Sequence, residues 1–298
     1  MNRFFMKNTV AKCLLLVTGA LIAGPAAYAS NWVGTADYSV APGATGDEAS
    51  VGPFDTYDFG PGIGLVKPDT TVAAGNTFSG FFQTVVTSHI LDGTALNVGQ
   101  LDVSGGTNFN GTGNGFELTV RSSFTGQFTN VSASSLDIII TGGTANLYFD
   151  SNPNYSFAND LGFADGASIL TGSITGGVGS IFAPAVIGVG FEQIDLDFSG
   201  VFGNFNANVY EPDTINGGSA LFSVKVKTPL NNTPIINQVA TGDNTVGGIS
   251  ATGGQLFELD GQMQLTAVPL PGAAWLFLSA MMGFLAVGRK NRSVSIFA

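Results

Sequence analysis

Apolar and polar residues alternate one by one in four separate stretches of this 298-residue chain, and a period of two is the signature of half-buried strands. Phe116, Leu118 and Val120 alternate with Glu117, Thr119 and Arg121, and Ile194, Leu196 and Phe198 with Gln193, Asp195 and Asp197. Phe222, Val224 and Val226 alternate with Ser223, Lys225 and Lys227; Phe257, Leu259, Met263 and Leu265 do so with Glu258, Asp260, Gln262 and Gln264. A one-residue slip would bury the charges, so register in these strands is well specified. Further strands are expected at 78–91, 96–103, 124–131, 136–141 and 145–150. Turn markers separate them: Asp92-Gly93, Gly105-Gly106, Gly142-Gly143, Asp165-Gly166, Gly176-Gly177, Gly217-Gly218 and Gly253-Gly254.

Many short strands with no helical stretch outside the termini predict an all-β class, an antiparallel β-sandwich or jelly-roll-like domain. A parallel β-helix is the alternative, but no fixed-period repeat supports it. Residues 31–77, with Pro42, Pro53, Pro61 and Pro68, are expected to be irregular and to wrap the sheet edges. The 42 glycines and 24 phenylalanines disfavour long helices, suit twisted strands and tight turns, and are too apolar for disorder.

Both ends carry targeting chemistry. Residues 1–29 have a basic start (Arg3, Lys7, Lys12), an apolar run and an Ala27-Tyr28-Ala29 site, with cleavage by signal peptidase expected before Ser30 after export through the secretion translocon. The apolar run is too short to span a bilayer, and Cys13 does not follow a lipobox-like sequence. At the other end, Val268, Pro269, Leu270, Pro271 and Gly272 lead into an uncharged run, 272–288, followed by Arg289, Lys290 and Arg292 and a tail, 293–298. The prolines keep the chain extended and accessible. The 17-residue run, as a transmembrane helix, would be about 25 Å long, at the short end for a hydrocarbon core. The basic cluster would stay in the cytoplasm and leave everything before Val268 outside.

This C-terminal arrangement resembles the PEP-CTERM protein-sorting signal of Gram-negative bacteria, in its VPLPA-type variant. The matching residues are Val268, Pro269, Leu270 and Pro271, with Gly272 where that variant usually has alanine. The resemblance covers about a tenth of the chain. It implies an exosortase substrate held transiently in the inner membrane, then delivered to the cell surface or extracellular matrix in association with exopolysaccharide, biofilm or floc. The same tail is carried by unrelated ectodomains, so it reports an address and not an activity.

The intervening domain, 30–267, is long enough to bury a core without disulfides, and it contains no cysteine. It holds all 21 acidic residues against Lys67, Arg121, Lys225 and Lys227, a net charge of −17. Such a surface repels nucleic-acid phosphates and anionic headgroups, aids solubility and attracts divalent cations.

Catalytic motifs are sparse, and the expectation is a non-enzymatic domain. The lone His89 sits in an apolar run without a G-x-S-x-G elbow, and no P-loop or dinucleotide fingerprint occurs. Asp195 and Asp197 share one strand face, about 7 Å apart at two rises of 3.4 Å, with Glu192 on the other face; this is the one pattern fitting a polysaccharide hydrolase. A carbohydrate-binding module would need Trp32, Tyr38, Tyr57, Tyr148, Tyr155 or Tyr210 exposed. For calcium, Asp150, Asn152 and Asn154 reproduce the first three oxygen ligands of an EF-hand loop, while Tyr155 and Leu161 depart from it at the sixth and twelfth positions. Glu211, Asp213 and Asn216 form a second oxygen-rich stretch, and both stretches equally suit turn chemistry.

Overall fold

The computed structural model describes residues 31–104, 115–132, 135–182, 193–215, 219–226 and 233–267. They belong to one compact unit, Ser30–Val268. The cleavage residues Ala27, Ala29 and Ser30, the sorting residues Val268 to Gly272, the span 272–288 and the basic cluster lie outside the described residues. No helix among the described residues is long and apolar enough to cross a membrane.

A large antiparallel sheet dominates. It contains β3 (Thr56–Phe59), β4 (Gly62–Pro68), β5 (Thr77–Leu91), β6 (Thr94–Leu96), β7 (Glu117–Val131), β8 (Ser135–Asp150), β9 (Ala167–Phe182), β10 (Gln193–Phe205), β12 (Ser219–Val226) and β15 (Gln255–Leu265). Strands pair in chain order from β5 through β7, β8, β9 and β10 to β12, and β12 pairs with β15. β15 then pairs with β3 and β4, which both pair with β5, so the sheet closes on itself. Closure removes the exposed edges that an open sheet must otherwise protect.

The all-β antiparallel class is as expected, but strand order is that of a closed meander and lacks the crossings of a jelly roll. Antiparallel pairing throughout the named strands also removes the parallel β-helix.

Period-two patterning builds the wall. On β7, Leu118, Val120, Phe124 and Phe128 are buried, while Ser123 and Thr125 are exposed. The exposed pair meets Thr144 and Thr141 of β8 in hydroxyl contacts of 3.2 Å each. Phe78, Phe82, Ile138, Ile140, Leu147, Phe149, Ile169, Leu170 and Met263 join the same core. Each such side chain contributes about 1.5–3 kcal/mol on burial.

Four expectations need correction. Residues 31–77 are not irregular: besides β3 and β4 they supply β1 (Gly34–Asp37), a 3-10 turn (Tyr38–Val40) and β2 (Ser50–Phe54). Pro61 separates β3 from β4 and Pro68 ends β4, while Pro53 lies within β2 and Pro42 beyond the 3-10 turn. β1 pairs with β2 and with β11 (Tyr210–Glu211) in a small second sheet whose Ala36, Phe54 and Tyr210, with the preceding Trp32, are continuous with the main core.

Gly142-Gly143 and Gly176-Gly177 are not turns but lie inside β8 and β9; Gly143 sits opposite Phe124, where an added Cβ would meet the Phe124 backbone at 2.7 Å. The strand expected at 96–103 ends at Leu96, after which Leu101 docks on Phe116 as an isolated bridge.

A short helix, α1 (Pro234–Thr241), was also not anticipated. Thr233 caps it by accepting from the Ile236 N–H, and Pro234 begins it, where a missing N–H costs nothing. With the hairpin of β13 (Thr245–Val246) and β14 (Ile249–Ser250), and with residues 151–166, α1 forms a second apolar cluster. Val239, Val246, Phe157 and Phe163 there cover Ile63 and Leu65, which point away from the main core.

Candidate cation site

Glu117 opens β7 directly opposite Asp150, the last residue of β8. The β8–β9 connection returns to the same end of the meander and delivers Asp165, two residues before β9 begins. Each of the three carboxylates has an oxygen within 4.8 Å of the other two. Like charges directly opposite on neighbouring strands are unfavourable unless something compensates them.

The alternation on β7 places Glu117 on the water-facing side, yet it is 0% exposed, because residues 151–166 fold back over it. Oε2 accepts from the backbone N–H groups of Asn154 at 2.9 Å and Tyr155 at 3.2 Å. Oε1 is buried without a hydrogen-bond partner. Asn154 donates from Nδ2 to Asp165 Oδ2 at 3.1 Å, and its own buried Oδ1 has no partner. Asp150 Oδ1 accepts from the Asn152 N–H at 2.8 Å. Asp165 is exposed, so the cluster is reached from solvent on that side.

Burial pushes the Glu117 carboxyl up to about 8; the charges of Asp150 and Asp165 act in the same direction, and the two backbone N–H bonds oppose them. Burial also raises Asp150, with Asp165 adding to it and the Asn152 N–H opposing. Tyr155, which donates to the Val103 carbonyl at 3.0 Å, is raised by burial and by Asp102 and Glu117.

The covering loop is held on several sides. Ser156 and Leu161 bridge to each other, and Gly162, at φ +79°, has no room for a Cβ against Asn154 and Tyr155. Thr119 Oγ1 donates to the Phe163 carbonyl at 3.1 Å. Asp160 accepts from Gln83 Nε2 at 2.8 Å and from the N–H groups of Gly247 and Gly248 at 2.9 and 2.6 Å. Arg121 binds the Gly247 carbonyl.

Of the calcium ligands expected from sequence, Asp150 and Asn154 belong to this cluster, whereas Asn152 offers it only a backbone N–H. A strand precedes the loop, so it is not an EF-hand. Glu117 and Asp165 were missed: one reads as a solvent-phase strand residue and the other as a turn marker. The available signal was an acid at the start of β7, another at the end of β8 and a third just before β9. In the second oxygen-rich stretch, Glu211 and Asp213 are exposed and Asn216 lies outside the described residues.

His89 is fully buried, with Nε2 2.7 Å from Tyr38 Oη and Nδ1 unpartnered. Tyr57 Oη lies 3.1 Å from Tyr38 Oη and 2.8 Å from Tyr210 Oη, so these groups tie the small sheet to the closed one. Trp32, Tyr38, Tyr57 and Tyr210 are at most 2% exposed and offer no sugar-stacking face; Tyr148 and Tyr155 are partly exposed. Asp195 and Asp197 fall on β10, in register with Lys225 and Ser223 of β12, while Glu192 lies outside the described residues.

The chain matches no protein-family model, and neither characterised proteins nor solved structures give a significant match.

Proposed function

We propose that this chain is an exported, non-enzymatic protein of the cell surface or extracellular matrix, addressed through its C-terminal signal and processed by an exosortase. One observation carries the reading: the ordered succession of Val268-Pro269-Leu270-Pro271-Gly272, an uncharged 17-residue run and Arg289, Lys290 and Arg292, in a chain that begins with an export signal. The signal peptide would direct the chain to the translocon and be removed before Ser30. The apolar run would hold the domain at the inner membrane until exosortase acts at the proline motif. Association with extracellular polysaccharide follows from the resemblance of this tail to that sorting signal.

The domain suits such a destination. Among the described residues its closed sheet has no long free edge to template association, its outer wall carries hydroxyl ladders, and the domain contains no cysteine to form a disulfide.

Intact mass of the protein from its native cells tests the proposal. The wild type is expected to lack residues 1–29 and the segment beyond the proline motif. A Pro269→Ala, Pro271→Ala double variant is expected to keep its C-terminus and remain in the membrane. A full-length wild-type product folded in the cytosol, or an unchanged mature mass in the double variant, overturns the assignment.

A further inference from the structure

We propose that Glu117, Asp150 and Asp165 bind one calcium ion, which clamps residues 151–166 onto the ends of β7 and β8. Acidic residues gathered at a surface do not by themselves make a site. Here one of the three is 0% exposed and retains an oxygen, Oε1, with no partner, beside two further carboxylates within 4.8 Å. A buried carboxylate that keeps a free lone pair beside other negative charges is costly unless a proton or a cation compensates it.

The donor set selects the kind of cation. It consists of oxygens alone: the single histidine is engaged with Tyr38 elsewhere, and residues 30–267 contain no cysteine, so the nitrogen and sulfur ligands that favour zinc are missing. Oxygens on opposite sides of one calcium ion stand about 4.6–5.2 Å apart, and those on opposite sides of magnesium about 4.0–4.2 Å. A cluster spread over as much as 4.8 Å, partly supplied by an irregular loop, fits the larger and less demanding ion. Water on the exposed Asp165 side can complete the shell.

The clamp has a structural purpose. Residues 151–166 are anchored at their middle by Phe157, Phe163 and Asp160, whereas the end nearest β8 meets the mutually repelling carboxylates. An ion there would convert that repulsion into attachment. Nothing in this inference depends on the sorting proposal, and processing of the tail neither supports nor weakens it.

The test is calorimetric titration of CaCl2 into the full-length chain, purified in detergent and stripped with EDTA, at about 0.15 M salt to screen diffuse binding to the acidic surface. One saturable site is expected, with a dissociation constant of roughly 10⁻⁵ to 10⁻³ M, and EDTA should make residues 151–166 the first point of proteolytic cleavage. Asp165→Asn, at an exposed position, and Glu117→Gln should each weaken binding about tenfold or more, while Asp213→Asn should not. Circular dichroism verifies that each variant folds; if Glu117→Gln does not, Asp165→Asn decides. Absence of saturable uptake up to about 10 mM, or unchanged affinity in folded Asp165→Asn, overturns the site. Magnesium binding as tightly as calcium overturns the choice of ion.

Discussion

Phe124 of β7 lies directly across from Gly80 of β5, and its ring occupies the space where a side chain at Gly80 would begin. Phe78 stands in the same relation to Gly126, so the two pairs interlock with their order reversed between the strands. Gly143 of β8 sits opposite Phe124 on its other flank. At Gly80 and Gly126 glycine therefore serves one purpose, lodging a large ring inside the closed sheet without pushing its strands apart.

Gly80→Ala is accordingly expected to destabilise the domain by about 1–3 kcal/mol through overpacking. Gly99→Ala, where an added Cβ meets nothing within 4 Å, should cost much less. Urea unfolding of both variants makes the comparison, and equal midpoints would contradict the interlocking arrangement.

Tyr57→Phe removes the hydroxyl that links Tyr38 to Tyr210 and leaves both buried partners short of a hydrogen bond. The expected cost is about 1–3 kcal/mol, with little change in the circular-dichroism spectrum at low temperature. A thermal midpoint at the wild-type value would show that the hydroxyl contributes nothing net.

His89 gives the domain a defined acid sensitivity. Burial lowers it from 6.5 to about 3, so between those values the unfolded chain takes up a proton that the folded chain refuses. Its contribution is fully present above about pH 6.5 and is lost as pH falls towards 3, at up to about 1.4 kcal/mol per unit. Between pH 7 and 5 the wild type should therefore lose about 2 kcal/mol more than His89→Gln. Identical losses in denaturant titrations at the two pH values would rule out a neutral buried imidazole.

The basic cluster invites a separate test. Replacing Arg289, Lys290 and Arg292 with glutamine removes the charge bias that, under the proposed function, would retain the C-terminus in the cytoplasm. More of the unprocessed protein should then escape the inner membrane, as cell fractionation would reveal, and wild-type retention would dissociate anchoring from these charges.

Period-two alternation made the strands around 116–121, 194–198, 222–227 and 257–265 legible, because an amphipathic strand in a wall with one dry face repeats its pattern residue by residue. Where position outweighed pattern, the reading failed. Glycine pairs within β8 and β9 look like turns until the strand pairing that runs through them is known. Thr233-Pro234 was a readable helix start, but one short helix is a weak signal amid so many strands.

Sequence by itself determined the all-β class and the presence of the alternating strands, since an amphipathic strand declares itself through its own two faces. The export and sorting expectations also rest on local patterns, read along the chain. Only the tertiary structure decided that β12 meets β15 and closes the sheet, and that Glu117, Asp150 and Asp165 converge. Both depend on which strand ends become neighbours in space, a matter of register between segments far apart in the chain. For Glu117, a loop more than thirty residues further on turns a water-facing position into a buried one.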